Sequence, residues 1–94
     1  MNYPELTDFT PREYDVLQLC AKGYTNKKIA DELGVTIHAV KVHICNIYKK
    51  FNSPYRERVA ITAIQLGLVN PNKFLSLQDA LIEKGYIEVI STNE

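Results

Sequence analysis

The sequence predicts a small all-α protein with four helices, an added C-terminal helix and a short extended tail. Capping residues precede the apolar stripes, glycine or proline follows them, and the stripes have the three- and four-residue spacing of amphipathic helices. The chain has 94 residues, 46 % of them hydrophobic, which is enough for one small core but not for two. We therefore divide it into residues 1–69, which hold the four helices, and residues 70–94, which form an extension.

The first predicted helix begins at a capping box, TPRE at residues 10–13. In this motif the Thr10 hydroxyl accepts a hydrogen bond from the Glu13 amide, and the Glu13 carboxylate reaches back to the Thr10 amide. Pro11 suits the first helical position, where its missing N–H costs nothing. Gly23 supplies a left-handed stop. The predicted inward face comprises Val16, Leu17 and Cys20.

Two further helices are predicted on either side of a tight turn. Thr25 caps the second helix and Gly34 ends it, whereas Thr36 caps a third helix that runs to about Phe51. Two short helices joined by about four residues that include glycine form a helix-turn-helix, whose second helix is a candidate reader of the DNA major groove. The predicted inward stripe of the third helix comprises Ile37, Val40, Ile44, Ile47 and Phe51.

The opposite face of the third helix carries bases and small apolar residues, and the helix contains no acid. Lysine can reach guanine or a phosphate, and a small apolar side chain can contact a thymine methyl group, so this face suits a DNA groove. Single apolar residues are also common on ordinary solvated surfaces, and that reading stays open. The outward strip consists of His38, Lys41, Val42, Cys45 and Lys49.

The chain after the third helix is predicted to form two more helices. Residues 52–54 break the chain before a fourth helix over about residues 55–66, and a turn at residues 70–72 precedes a fifth helix closed by Gly85. Residues 86–90 alternate weakly, as a short strand or an extended tail would. This extension either covers the core or adds a surface for a partner. The apolar positions of the fifth helix are Phe74, Leu77 and Leu81, with Leu75 and Ile82 on the flanks.

The charges of the chain are segregated although their formal sum is zero. Residues 1–21 hold one base and four acids, residues 22–58 hold eight bases and three acids, and residues 59–94 hold two bases and four acids. Because the Debye length is about 10 Å at 0.1 M salt, the local surplus of five positive charges governs contact with a polyanion. The middle segment is therefore compatible with nucleic-acid binding.

The run from Phe9 to Val69 resembles the DNA-binding domain of the LuxR/FixJ/GerE class of bacterial transcription regulators. The resemblance covers 61 of the 94 residues without a gap, and Arg56 matches the arginine that usually opens the last helix of the module. The matching segments are TPRE at residues 10–13, VLQLCAKGYTNKKIADELGV at residues 16–35 and VKVHICNIYKKF at residues 40–51.

The resemblance implies a role for each part of the surface. It implies that the helix after Thr36 enters the major groove and that the fourth helix is the contact of a homodimer. The residues expected at base edges are Lys41, Val42, Cys45 and His38. The residues expected at phosphates are Thr25, Lys27, Lys28, Thr36, His43, Lys49, Lys50 and Arg56. The residues expected at the dimer interface are Val59, Ile61, Thr62, Gln65, Leu66 and Leu68.

The chain departs from the family pattern at three positions. Ala39 stands where a threonine is usual, Cys45 where a polar or basic side chain is common, and Tyr55 where a small capping residue is usual. The loss of the hydroxyl at Ala39 bears on DNA affinity more than on the fold. Few residues precede Phe9, so we expect a stand-alone regulator without a receiver domain or a ligand-binding domain.

Other classes of function have little support in the sequence. His38 and Cys45 are seven residues apart, about 10.5 Å along a helix, and do not form a set of convergent metal ligands. The sequence shows no catalytic arrangement of Ser, His and Asp and no glycine-rich phosphate loop, so we expect no enzyme, no cofactor and no small-molecule ligand. The two cysteines and the absence of a signal pattern or a long apolar run favour a cytoplasmic, nucleoid-associated protein.

Two functions remain open at this point. The first is a homodimeric regulator that binds double-stranded DNA in a sequence-specific manner and contacts RNA polymerase or another transcription regulator. The alternative is a module of the same fold that binds and sequesters another regulator. The acidic extension and the departures from the family pattern at Ala39 and Cys45 support this alternative.

Overall fold

The computed structural model describes residues 2–88 and confirms an all-α fold. Within this range no β-strand forms, and the single β-bridge joins Asn70 to Lys73 in the turn after the fourth helix. A short 3-10 helix, Leu6–Asp8, which the sequence pattern did not predict, precedes the five α-helices. The helices are α1 (Pro11–Ala21), α2 (Asn26–Leu33), α3 (Ile37–Phe51), α4 (Arg56–Gln65) and α5 (Leu77–Glu83).

The predicted capping signals determine where the first three helices begin. The capping box of α1 is complete, because the Glu13 amide donates to Thr10 Oγ1 at 3.1 Å and the Thr10 amide donates to Glu13 Oε1 at 3.0 Å. Thr25 accepts from the Lys28 amide at the start of α2. Each cap satisfies backbone donors that have no partner within the helix.

The turn between α2 and α3 has the geometry of a helix-turn-helix. Gly34 ends α2 in the left-handed conformation, with φ of +67°, and Thr36 caps α3 by accepting from the Ala39 amide. A side chain with a Cβ would be strained at this φ, so glycine permits the tight connection. Asn52 ends α3 in the same conformation, which asparagine tolerates better than most residues with a Cβ.

The core is built around α1, which packs against each of the other four helices. α3 lies against both α1 and α2, and its buried residues Val40, Ile44 and Ile47 face them. The outer surface of α3 therefore stays available on the side away from α1. The α1 residues in the core are Tyr14, Val16, Leu17, Leu19 and Cys20.

One predicted core position is wrong. Ile37 was expected to begin the inward stripe of α3, but its side chain is 42 % exposed. Ile37 is the first residue of the helix, and helical side chains lean toward the N-terminus, so it projects beyond the packed turns instead of into the core.

The C-terminal extension packs into the same core. Leu77 and Ala80 are buried. The Gln18 side chain of α1 makes two hydrogen bonds to the backbone of Leu75: its Nε2 donates to the Leu75 carbonyl at 2.7 Å, and its Oε1 accepts from the Leu75 amide at 2.9 Å. Phe74 and Leu75, which were expected on the fifth helix, lie before it, because Ser76 caps the helix. Of the predicted strand or tail, residues 86–88 form no strand, and residues 89–90 lie outside the described residues.

Candidate nucleic-acid interface

The outward strip of α3 forms a continuous exposed face. All five of its predicted members are exposed, and Val42 is 46 % exposed although it is apolar. The face carries two lysines and no acid, and it is displayed on a helix whose other side is fixed in the core. The strip can therefore present both charged and apolar groups to one ligand. Its residues are His38, Lys41, Val42, Cys45 and Lys49.

The start of α2 adds a second basic surface. Lys27 and Lys28 are exposed in the first turn, where the helix dipole also favours an anion. Lys27 pairs with Asp31 at 3.2 Å, but both side chains are largely in solvent, so the pair does not compete strongly with a phosphate. Thr25 uses its hydroxyl to cap the helix.

A third lysine belongs to this surface although the sequence did not single it out. Lys22 and Lys28 both lie over the ring of Tyr24, with their Nζ atoms 5.7 Å and 4.3 Å from its centroid. The aromatic ring attracts both ammonium groups and holds each of them beside Tyr24. The signal that could have revealed Lys22 is its position just before the helix-ending Gly23 and close to the next N-cap, Thr25.

Lys50 faces the interior of the protein instead of the exposed strip. Its Nζ donates to Glu13 Oε1 at 2.9 Å and lies over the ring of Phe9. Burial raises the pKa of Glu13, but hydrogen bonds from the Thr10 amide and from Lys50, with the Lys50 charge, outweigh it and leave the pKa below its ordinary value of 4.5. Lys50 thus links α3 to the start of α1.

His43 also lies on the side of α3 near Glu13. The imidazole is half-buried, its charge is near enough to lower the pKa of Glu13, and its Nδ1 is buried without a hydrogen-bond partner among the described residues. It does not belong to the exposed strip formed by Lys41 and Cys45.

Arg56 is engaged within the chain as well. Its Nη1 donates to Asn26 Oδ1 and its Nη2 donates to the Tyr24 carbonyl, each at 2.6 Å. The side chain is half-buried and joins the first residue of α4 to the residues that precede and begin α2. This link spans 30 positions in the sequence, so no local pattern could reveal it.

The residues predicted for a dimer interface divide into two sets. Val59 and Leu68 are only 2 % and 7 % exposed and belong to the core, so they are not available to a partner. Ile61, Gln65 and Leu66 are exposed on α4 and the turn after it. Thr62 is half-buried beside them and lines the same groove as Ile61 and Gln65.

An open groove of about 890 Å³ runs along this exposed side of α4. The N-terminal residue Tyr3 contributes to it, together with residues 51–55 that connect α3 to α4. Tyr3, Tyr55 and Ile61 are all exposed, which makes the groove partly apolar. The remaining lining residues are Glu57, Arg58, Val59, Thr62 and Gln65.

The cysteines and the remaining acidic and histidine groups form no further site in the described range. Cys20 is buried, and burial raises the pKa of its thiol, while Cys45 is exposed and free. Within residues 2–88 no group of three His, Cys, Asp or Glu residues could hold a metal ion. No helix in the same range is long and apolar enough to cross a membrane.

The compact turn between α2 and α3, with an acid-free exposed face on α3, defines a helix-turn-helix protein. Residues 7–63 match the family described as bacterial regulatory proteins, luxR family, and the chain belongs to this family. The resemblance seen in the sequence is thereby confirmed. The family is one of transcription regulators and not of enzymes.

Similar proteins carry names of the same kind. The chain is 46 % identical to the transcriptional regulatory protein LiaR of Bacillus subtilis over 61 residues. This matched segment covers 65 % of this chain and 29 % of LiaR. It is 42 % identical over 60 residues to the response regulator protein VraR of Staphylococcus aureus, covering 64 % of this chain and 29 % of VraR. It is 41 % identical over 68 residues to the HTH-type transcriptional regulator MalT of Vibrio campbellii, covering 69 % of this chain and 8 % of MalT.

Proposed function

We propose that this chain is a sequence-specific regulator of transcription that binds double-stranded DNA as a homodimer, with α3 in the major groove. The observation that carries this proposal is the exposed strip of α3, which has lysines and small apolar side chains but no acid. Membership of the luxR family and the names of LiaR, VraR and MalT support it. The chain matches at most 29 % of the length of each of these three relatives.

The strip divides into groups that read bases and groups that hold the DNA backbone. Lys41 would donate to guanine O6 or N7, while Val42 and Cys45 would contact thymine methyl groups, and His38 would lie at the edge of the groove. Lys49, at the far end of the strip, would contact a phosphate. Base-directed groups give discrimination, whereas phosphate contacts set the position of the helix.

The phosphate contacts would come from α2 as well as from α3. Lys27 and Lys28 are exposed beside the positive end of the α2 dipole, and Lys22 lies next to them. Thr25 and Thr36 start their helices, so backbone N–H groups at these two helix N-termini would also be available to donate to a phosphate. Each ion pair displaces condensed counterions, so the affinity should fall steeply with salt, by a slope of about −0.9 per phosphate contact.

Two copies would place their α3 helices in successive major grooves, about one helical turn apart. The exposed residues Ile61, Gln65 and Leu66 supply a surface for this contact on the side of α4. Such a dimer predicts a palindromic site. We place this activity at bacterial DNA in the cytoplasm.

Selection of bound duplexes from a random pool tests DNA binding, sequence preference and palindromy together. Lys41→Ala should weaken binding to the selected duplex by roughly tenfold and relax one position of the motif, because a good base contact contributes about 1–3 kcal/mol of discrimination. Lys84→Ala is the matched control, since it removes the same charge from the end of α5. If Lys41→Ala kept both affinity and preference, this docking would be wrong.

The same experiment separates the proposal from sequestration of another regulator. A purely protein-directed module would select no duplex and would show no salt-dependent binding. Binding of the purified chain to duplex DNA with a salt slope of several units supports the proposal, because that slope counts displaced counterions.

A further inference from the structure

The guanidinium group of Arg56 lies where four helices meet. It is held by Asn26 Oδ1 and by the Tyr24 carbonyl, both at 2.6 Å. Burial raises the pKa of the Cys20 thiol in α1 and of the Tyr48 hydroxyl in α3, and the nearby charge of Arg56 opposes both shifts. Arg56 of α4 is therefore close to α1, α2 and α3 at once.

Arg56 uses both of its terminal nitrogen atoms in these contacts. A guanidinium is a planar fork whose separate nitrogen atoms donate in fixed directions, and the single nitrogen of an ammonium group does not reproduce this geometry. The two acceptors here belong to residues 24 and 26, on either side of the N-cap residue Thr25. The arrangement therefore clamps the start of α2 through one backbone carbonyl, that of Tyr24, and one side-chain oxygen, that of Asn26.

The clamped segment controls the position of the α2 lysines. The hydroxyl and the carbonyl of Thr25 accept from the amides of Lys28 and Ile29, at 3.2 Å and 2.9 Å. Lys27 and Lys28 follow the cap directly, and Lys28 also lies over the ring of Tyr24, whose carbonyl Arg56 holds. A shift of residues 24–26 would move these lysines and the positive end of the helix together.

We propose that Arg56 is a positioning residue, which fixes the start of α2 and its lysines for contact with DNA phosphates and does not itself bind a phosphate. The proposal rests on the proposed DNA binding for its functional consequence. It differs from the expectation drawn from the sequence, in which Arg56 was a phosphate contact. The two roles make opposite predictions for a substitution that keeps the charge.

Arg56→Lys is the decisive variant. A phosphate contact accepts lysine in place of arginine, whereas a two-acceptor clamp does not. We expect Arg56→Lys and Arg56→Ala to weaken DNA binding by similar factors, roughly tenfold each, because charge-assisted hydrogen bonds are lost in both. Arg12→Lys makes the same exchange on an exposed position of α1 and should leave the affinity unchanged.

A second measurement does not require DNA. Exchange of the Lys28 and Ile29 amides, followed by NMR in the free protein, should speed up by at least severalfold in Arg56→Lys, since the cap is less firmly held. Asn26→Ala removes one acceptor without changing any charge and should reproduce part of the effect. In the double variant the two substitutions should be less than additive, as expected for groups in direct contact.

Each outcome decides the proposal. The proposal is overturned if Arg56→Lys binds DNA almost as well as the native chain while Arg56→Ala binds more weakly, with a salt slope smaller by about one per protomer. That result would assign Arg56 to a phosphate contact. Unchanged amide exchange at Lys28 and Ile29 in Arg56→Lys also overturns it. If the native chain bound no duplex, the proposed function would fail, and the exchange measurement would still decide whether Arg56 holds the start of α2. Arg56→Lys and Asn26→Ala keep the test valid if Arg56→Ala does not fold.

Discussion

Adjacent lysines near the end of α3 have different environments. Lys49 is exposed on the outward strip, whereas Lys50 is half-buried and donates to Glu13. Successive residues of a helix point about 100° apart, so one of two neighbours can face a groove while the other faces a packed helix. Both lysines were predicted from the sequence to contact phosphates. The pairing of Lys50 with Glu13 could not be predicted, because Glu13 is 37 positions away and approaches Lys50 only through tertiary packing.

The ion pair of Glu13 with Lys50 should make stability depend on pH. Because the pKa of Glu13 is lowered in the folded protein, its contribution is fully present above its ordinary pKa of 4.5 and is lost as the pH falls through the lower folded value. We expect Glu13→Gln to lower the free energy of unfolding at pH 7 by about 1–2 kcal/mol, the scale of a partly screened charge-assisted hydrogen bond. Urea titrations at neutral pH and well below pH 4.5 should show the difference shrink in acid.

Asp31→Asn provides the control for that experiment. Asp31 pairs with Lys27 at 3.2 Å, but both side chains are largely exposed, so its loss should hardly change stability at either pH. A loss as large for Asp31→Asn as for Glu13→Gln, or an effect of Glu13→Gln that persists in acid, would contradict the role assigned to Glu13.

The small apolar residues of the strip make a separate prediction about DNA. Val42 and Cys45 are exposed one helical turn apart and offer no strong hydrogen-bond donor, so the selected half-site should contain thymines whose methyl groups they contact. Replacing one such thymine with uracil removes only the methyl group and should weaken binding about fourfold, from about 0.8 kcal/mol per buried carbon. Competition binding with substituted duplexes measures this ratio.

The matched comparison is a uracil placed outside the half-sites, which should have no effect. Val42→Ala or Cys45→Ser should reduce the sensitivity to the uracil that each side chain faces. Equal binding of thymine and uracil at every position of the motif would exclude methyl contacts by these residues.

At the scale of the helices, the elements with local signals were predicted from the sequence. The capping boxes and threonine caps act within three or four residues, so the starts of α1, α2 and α3 follow from the chain itself. The packing of the extension was harder to predict from the sequence, because it depends on Gln18, which lies 57 residues before Leu75. The periodic pattern placed Phe74 in the fifth helix, but the cap at Ser76 excludes it.

Gln18 should be a main attachment of the extension to α1. Its side chain pairs with both backbone groups of Leu75, and Gln18→Ala would leave the partly buried amide and carbonyl unsatisfied. We expect a loss of about 1–3 kcal/mol in the free energy of unfolding and faster exchange of the Leu75 amide. Gln78→Ala on the exposed side of α5 is the control and should change neither.

That prediction has a clear opposite outcome. Equal stabilities of Gln18→Ala and the native chain would mean that the extension is held by the burial of Leu77 and Ala80 alone. The hydroxyl of Tyr14, which donates to the Leu68 carbonyl at 2.6 Å, supports the turn before the extension, and burial raises the pKa of this tyrosine to about 12.

At the scale of the whole molecule, the formal net charge is zero but the positive and negative charges are unevenly distributed along the chain. The basic surplus of residues 22–58 is carried by α2, α3 and the start of α4. Lys50 and Arg56 are engaged within the chain, and Arg58 lies over the Tyr55 ring at the groove of α4. The remaining positive charge, which the proposed DNA contact would use, is at Lys22, Lys27, Lys28, Lys41 and Lys49. The extension, by contrast, carries a net negative charge. This layout should orient the molecule toward a phosphate backbone before contact.

The last prediction concerns the proposed dimer, whose surface on α4 differs from the strip on α3 that is proposed to read DNA. Ile61 is 54 % exposed on α4, so Ile61→Asp should leave the folded monomer intact while placing a charge in an apolar contact. Sedimentation should show the mass of a monomer, and affinity for a palindromic duplex should fall far more than affinity for a single half-site, since the second contact no longer benefits from a high effective concentration. Ile87→Asp adds the same charge at an exposed apolar residue after α5 and should leave both measurements near their native values. A dimer that survives Ile61→Asp would mean that the partner surface is not on α4. An equal loss of affinity for palindrome and half-site in both variants would attribute the loss to the added charge alone.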